Sequence, residues 1–104
     1  MNTYFRAQTR GIAFSAMKAH VSADGGDDME EAGGVCACLT VSELLRNTVM
    51  DAMNPDDEVV IFRGHEVAEI YDGYRVEPVE EIARFTVREF RACADEIAEK
   101  YETL

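Results

Sequence analysis

The sequence predicts an α+β fold in which a small antiparallel sheet of about four strands packs with two or three helices. The first observation is the stretch 58–85, which is rich in strand-forming residues and contains Asp72-Gly73, a dipeptide typical of hairpin turns. The second is a pair of Thr-x-x-Glu motifs beginning at Thr40 and Thr86, a pattern typical of helix N-termini. Both motifs lie outside the strand-rich stretch, so helices should flank the central hairpin.

The first half of the chain is predicted to contain one strand, two helices and a long loop. Asn2–Thr9 has the aromatic residues of a strand, and Ile12–Val21 has apolar residues at helical spacing. The stretch 22–34 carries four glycines and five acids and is predicted to be an acidic, glycine-rich loop. Val35–Leu39 is a short strand or the lead into a helix from Val41 to Met53, which Asn54-Pro55 should end.

The second half is predicted to form the hairpin and the last helix. Glu58–Arg63 is apolar on both faces, which favours a central strand, and Gly64-His65 is expected to be a tight turn. A strand over Glu66–Tyr71, the Asp72-Gly73 turn and two further strands over 74–77 and 79–85 should follow. Pro78 cannot donate to a ladder and marks an edge, a bulge or a strand start. The last helix should run from Val87 to Glu102, with Cys93 buried and Glu96 paired to Lys100.

Length and composition indicate one domain spanning 1–104. The apolar fraction of 47% is normal for a globular chain, and no apolar run is long enough to cross a membrane. The chain contains three cysteines, Cys36, Cys38 and Cys93, so at least one thiol is free in a monomer. All three are expected to be small buried residues in a reducing cytoplasm.

The charge is strongly negative and unevenly distributed. The net charge is −11, and residues 1–23 contain three bases and no acid, so all 21 acids lie from Asp24 onward. Such a field repels nucleic acid and anionic membranes and attracts basic protein surfaces. We therefore expect a basic protein partner, no direct nucleic-acid binding and no membrane binding.

Catalytic, cofactor and metal signatures are not evident. His20 and His65 lie in no motif, although a pair formed by His65 and Glu66 has the chemistry of a general base. Acids near Cys36 and Cys38 oppose a reactive thiolate. The acids between Asp24 and Glu31 do not follow the spacing of a calcium-binding loop, and no glycine-rich loop is followed by Lys-Ser or Lys-Thr. We expect no enzyme activity, no cofactor and no metal.

The remaining signal is a set of carboxylates on the predicted hairpin and last helix. Same-face side chains on a strand recur about every 6.6–6.8 Å, close to the spacing of successive phosphates along a nucleic-acid strand. The predicted partner-binding residues are Glu66, Glu69, Asp72, Glu77, Glu80, Glu81, Asp95, Glu96 and Glu99, with Glu102 beside them. A rigid surface of this kind fits a groove that normally holds nucleic acid.

In size, charge and the acidic run from Glu66 to Glu81, the chain resembles small acidic proteins encoded by phages and mobile elements. Among these it is similar in kind to anti-CRISPR proteins that act as DNA mimics. The resemblance implies binding to the basic DNA-entry groove of a CRISPR effector complex, inhibition by occupancy, and a place in the cytoplasm of the bacterial host. Under this hypothesis, charge reversal at Glu66, Glu69, Glu80 and Glu81 abolishes binding.

Two alternatives belong to other functional classes. Tyr4-Phe5-Arg6-Ala7 resembles the first strand of ADP-ribosyltransferase-like folds, where an arginine helps to hold a dinucleotide. An adaptor or antitoxin-like module would instead neutralise a basic protein without imitating nucleic acid. Turnover would distinguish the enzyme, and binding that is nearly independent of salt would distinguish a hydrophobic adaptor.

Overall fold

The computed structural model describes residues 1–19 and 34–104 and confirms the α+β fold. A four-stranded antiparallel sheet has the strand order β1-β3-β4-β2. The strands are β1 (Asn2–Gln8), β2 (Val35–Ala37), β3 (Glu58–Ile70) and β4 (Gly73–Thr86). The helices are α1 (Phe14–Ala19), α2 (Val41–Arg46), a 3-10 helix (Thr48–Ala52), α3 (Val87–Ala92) and α4 (Ala94–Tyr101). Apart from Gly34, the predicted acidic loop lies outside the described residues.

The predicted central hairpin is present, but its turn lies one residue earlier than expected. Ile70 pairs with Gly73, so Tyr71 and Asp72 form the turn. A type I′ turn needs positive φ at both central residues, and in the described residues positive φ occurs only at Gly11 and Gly34. Gly73 belongs to β4, where a Cβ atom would lie 2.6 Å from the carbonyl oxygen of Ala37 in β2. The glycine therefore permits close strand packing.

The predicted turn at Gly64-His65 is wrong, because β3 continues through both residues to Ile70. A Cβ atom on Gly64 would lie 2.5 Å from Cγ1 of Val76, so this glycine too makes room for a neighbouring strand. Register shifts fall near it, between Arg63 and Gly64 and between Ile61 and Phe62. Pro78 pairs with Gly64 at the first of these shifts, which confirms its expected place at a bulge.

The sheet curls until its two edge strands meet. Phe5 in β1 and Cys38, just after β2, form an isolated antiparallel bridge with two backbone hydrogen bonds of 2.9 Å. On the inside of the curl, the rings of Tyr4 and Tyr74 come within 6.1 Å although their strands, β1 and β4, are not neighbours. We call this inner side the concave side and the opposite side the convex side.

Each side of the sheet carries its own apolar core. The concave core contains Tyr4, Met17, Val35, Ala37, Val60, Phe62 and Val76. The convex core contains Phe5, Ala7, Cys38, Val41, Leu44, Met50, Val59, Ile61, Val87, Phe90, Ile97 and Tyr101. Val59–Phe62 supplies both cores alternately, which explains its unbroken apolar run.

The helix predicted from Val41 to Met53 is shorter, because the chain leaves the α-helix at Asn47. The side chain of Asn47 accepts a hydrogen bond from the Val49 amide at 2.9 Å and starts the 3-10 helix there. The change of helix type turns Val49 to solvent and buries Met50 instead. Leu45, Thr48 and Ala52 are exposed as well.

The two predicted helix caps differ in completeness. Thr86 and Glu89 form the full reciprocal box, with hydrogen bonds of 3.1 and 2.9 Å. Thr40 accepts from the Glu43 amide, but the Glu43 carboxylate takes the Thr40 hydroxyl and not its amide. The last helix is interrupted at Cys93, which is exposed, contrary to expectation.

All three cysteines are free, and their burial differs. Cys38 is buried, Cys36 is half-buried and Cys93 is exposed. The expectation of buried thiols therefore holds fully only for Cys38. Among the described residues, no helix has the length and apolar character needed to cross a membrane.

Candidate functional site

All the acids predicted to bind a partner are exposed, and they form two groups. The hairpin group lies on β3, β4 and the turn between them and consists of Glu66, Glu69, Asp72, Glu77, Glu80 and Glu81. The helix group lies on α4 and consists of Asp95, Glu96 and Glu99.

The register of the hairpin divides its acids between the two sides of the sheet. Side chains of paired residues share a face. Glu77 pairs with His65 and Glu80 with Arg63, both of which lie on the convex side with Ile61. The other hairpin-strand acids lie on the concave side: Glu66 pairs with Val76, Glu69 with Tyr74 and Glu81 with Phe62. The hairpin acids therefore do not form one row.

The helix group lies on the convex side. Helix α4 buries Ile97 and Tyr101 in the convex core, and its acids occupy the opposite, solvent-facing part of the helix. They lie on the same side of the sheet as the two convex hairpin acids, and we call the five residues the convex acidic surface: Glu77, Glu80, Asp95, Glu96 and Glu99. Its members come from a strand and a helix that both contribute side chains to the convex core.

Two of the predicted residues have structural partners. Glu81 forms a 2.7 Å ion pair with Arg84, whose other guanidinium nitrogen contacts Glu58 at 2.9 Å and the Ile12 carbonyl at 2.6 Å. The hydrogen bond to Glu81, with a contribution from Glu58, raises the pKa of Arg84. Asp72 accepts hydrogen bonds from the Asn47 side chain through its carbonyl and carboxylate. Glu81 and Asp72 are therefore already engaged in contacts within the fold.

The other predicted acids have no ion-pair partner among the described residues: Glu66, Glu69, Glu77, Glu80, Asp95, Glu96 and Glu99. The expected pair between Glu96 and Lys100 is not formed, because the Lys100 ammonium lies over the ring of Tyr101, 5.4 Å from its centroid. The charge of the convex acidic surface is therefore not neutralised from within the described chain.

Other acids of the described chain have structural roles, and sequence reasoning missed that of Asp57. Asp57 is buried and accepts hydrogen bonds from the amides of Asn54 at 2.8 Å and Arg10 at 3.2 Å, which lower its pKa. The bonds from Thr86 in the helix cap likewise lower the pKa of Glu89. The signal for Asp57 was present in Asn-Pro-Asp-Asp, a turn sequence whose last aspartate can bind the backbone of its own turn.

A cavity of about 270 Å³ lies between α2 and the tip of the hairpin. Its lining includes Glu43, Glu69, Asp72 and Tyr74, with Arg46 as the basic member. Partial burial, followed by the nearby carboxylates of Glu69, Glu43 and Glu66, raises the pKa of Tyr74. The carboxylates of Glu69, Glu43 and Glu66 are therefore close enough to Tyr74 to disfavour the ionised form of its hydroxyl.

A second cavity, of about 300 Å³, is lined by both neighbouring cysteines and by residues of β1 and α2. Burial, followed by the charge of Glu43, raises the pKa of Cys38 to about 11, which keeps its thiol protonated. Cys36 receives a hydrogen bond of 3.0 Å from Arg75, which is fully buried and also donates to the Gly34 carbonyl at 2.7 Å. Arg75 ties the start of β2 to β4, a role that sequence reasoning missed.

The residues of the enzyme hypotheses do not converge on a site. The Arg6 guanidinium donates to the Cys36 carbonyl at 2.9 Å and to the Gln8 side chain at 3.4 Å. His65 and Glu66 point to opposite sides of β3, so the proposed histidine–acid pair is not formed. Among the described residues, no three metal-binding side chains cluster. His20 and the acids from Asp24 to Glu31 lie outside the described residues.

Comparison of the chain with models of protein families, with curated proteins and with solved structures found no match. No relative therefore assigns a role to any of these residues. What distinguishes the five residues of the convex acidic surface is physical: their side chains are exposed, and none forms an ion pair among the described residues.

Proposed function

We propose that this protein is a non-enzymatic inhibitor whose acidic surface occupies a basic, nucleic-acid-binding groove of a partner protein, in the manner of a DNA mimic. The partner class that fits best is a nucleic-acid-guided or nucleic-acid-processing assembly, such as a CRISPR effector complex in a bacterial cytoplasm. Occupancy of the groove would by itself prevent nucleic acid from entering.

The observation that carries the proposal is the separation of the acids into two kinds. Glu58, Glu81 and Glu89 are engaged in ion pairs or caps, whereas the five residues of the convex acidic surface make no such contact among the described residues. A large excess of unneutralised negative charge lowers the stability of the compact state through self-repulsion. A basic partner relieves that repulsion on binding.

Rigidity supports mimicry because a groove for nucleic acid recognises charges at fixed spacing. Glu77 and Glu80 lie on β4 and pair with His65 and Arg63 of β3, on either side of the register shift at Pro78. The acids of α4 are fixed by Ile97 and Tyr101 in the convex core. A preorganised surface loses little conformational entropy when it binds.

The test uses the immobilised full-length protein to capture partners from a bacterial lysate at low salt, followed by binding measurements with the purified partner. The decisive variant reverses four charges of the convex acidic surface, Glu77→Lys, Glu80→Lys, Glu96→Lys and Glu99→Lys. We expect affinity to fall by at least about tenfold per reversed pair, and wild-type affinity to fall steeply with salt. The control for charge reversal in general is Asp51→Lys, at an exposed acid of the 3-10 helix that belongs to neither the hairpin group nor the helix group.

Glu81 is left unchanged in the decisive variant, because its reversal would also break the ion pair with Arg84. Circular dichroism should show that the reversed variant keeps the wild-type fold, since none of its four sites contacts another described side chain by an ion pair or hydrogen bond. Unchanged partner affinity in a folded variant would overturn the proposal. Salt-independent binding would identify an adaptor, and effects at substoichiometric protein would identify an enzyme.

A further inference from the structure

The outer half of strand β3 has a neighbour on one side only. β1 pairs with β3 from Glu58 to Gly64, and β4 pairs with it along its whole length. From His65 to Ile70, the described residues place no strand on the side where β1 has ended. We call the segment His65–Ile70 the free edge.

The other edges of the sheet are closed or blunted. β1 is joined to Cys38 through Phe5, and β2 covers the start of β4. Further along β4, Pro78 has no amide to donate and register shifts interrupt the ladder. In the free edge one register shift occurs, between Glu66 and Ala68. The remaining residues of the segment keep a regular antiparallel pairing with β4.

The free edge contains two acidic residues and no lysine or arginine. His65, Glu66, Val67 and Glu69 are exposed, and neither carboxylate has an ion-pair partner among the described residues. Two copies that met edge to edge would bring like charges together, which opposes self-association. A strand carrying lysine or arginine would instead place opposite charges across the new ladder. The charge pattern therefore disfavours a second copy and favours a basic strand.

We propose that the free edge binds an extended, lysine- or arginine-rich segment of the partner protein, which adds to β3 as a further antiparallel or parallel strand. Backbone hydrogen bonds would supply affinity, and Glu66 and Glu69 would select basic side chains. The inference rests on the proposed function only for the basic character of the partner, and it uses concave-side acids that the convex acidic surface does not include.

The test uses a soluble peptide in which lysine and valine alternate, and the same peptide N-methylated at every backbone amide. Methylation keeps all side-chain charges and removes the donors that strand addition needs. We expect the unmethylated peptide to bind and to slow amide hydrogen exchange within His65–Ile70. The methylated peptide should bind at least about tenfold more weakly. Equal affinity of the two peptides, or no binding of the unmethylated one, overturns the inference.

Two variants separate this inference from the proposed function. Glu66→Lys with Glu69→Lys should weaken peptide binding, whereas Asp95→Lys with Glu99→Lys on α4 should leave it unchanged. If the α4 pair weakens the peptide as much as the edge pair does, the peptide is held by overall charge and the edge inference fails. Sedimentation velocity supplies a further arm: a wild-type dimer whose formation slows amide exchange within His65–Ile70 would show that a second copy takes the edge, and would overturn the inference. Whichever way the edge experiments turn out, partner binding that depends on the convex acidic surface would still support the proposed function.

Discussion

Phe5 and Cys38 exchange two backbone hydrogen bonds of 2.9 Å each, and this bridge joins the two edges of a sheet whose hairpin lies between them in strand order. The bridge brings together segments separated by more than thirty residues of sequence. It also lies between the two apolar cores, since Tyr4 beside it belongs to the concave core and Phe5 and Cys38 belong to the convex core.

Close packing of β2 on β4 makes the bridge depend on Gly73. A Cβ atom at this position would lie 2.6 Å from the Ala37 carbonyl oxygen, so Gly73→Ala must push β2 away. We expect the free energy of unfolding to fall by about 1–3 kcal/mol. Amide exchange at Phe5 and Cys38 should accelerate, as measured by NMR. Wild-type stability and exchange in Gly73→Ala would contradict the closed sheet.

The reciprocal cap at Thr86 should contribute measurably to stability. Thr86→Ala removes the acceptor for the Glu89 amide, which lies 3.1 Å from the hydroxyl. The expected loss is about 1 kcal/mol in the free energy of unfolding, read from urea denaturation. Thr103→Ala, at an exposed residue after α4, is the matched control and should change it by less than about 0.5 kcal/mol. Equal effects of the two substitutions would argue against the cap.

The buried carboxylate of Asp57 should make stability depend on pH. Hydrogen bonds from the amides of Asn54 and Arg10 lower its pKa below the ordinary value of 3.8. A group whose pKa is lower in the folded state stabilises the protein above its unfolded pKa, and this contribution is lost as the pH falls through the folded pKa. The difference in denaturation midpoint between wild type and Asp57→Asn should therefore be present at neutral pH and shrink below pH 3.8. A difference that grows on acidification would contradict this assignment.

The three thiols should react at very different rates. Cys93 is exposed, whereas Cys38 is buried and its pKa is raised to about 11. At pH 8 roughly one Cys38 in a thousand would be a thiolate. Iodoacetamide followed by mass spectrometry should show alkylation of Cys93 well before Cys38, and alkylation of all three in denaturant. Comparable native rates at Cys38 and Cys93 would show that the β2 region is open.

Local signals in the sequence predicted much of this fold correctly. The Thr86-x-x-Glu89 motif marks its helix, and Asp72-Gly73 lies within one residue of the hairpin turn. These features are decided by hydrogen bonds between residues a few positions apart. Gly64 was misread as a turn because a glycine also serves where a distant side chain, here that of Val76, must come close.

Features that depend on distant contacts were not predictable. The bridge from Phe5 to Cys38 and the burial of Arg75 against Gly34 and Cys36 join segments with no shared local pattern. For the candidate surface, sequence indicated which acids are exposed but not how they divide between the two sides. That division follows from the register of β3 on β4 and from which face of α4 packs on the convex core.

Competition with nucleic acid tests the central proposal most directly. The purified partner is bound to fluorescently labelled double-stranded DNA, and this protein is titrated in while anisotropy is followed. A DNA mimic should displace the DNA completely at stoichiometric protein, and the variant reversed at Glu77, Glu80, Glu96 and Glu99 should not. A ternary complex, in which the partner holds the DNA and this protein together, would contradict the proposal.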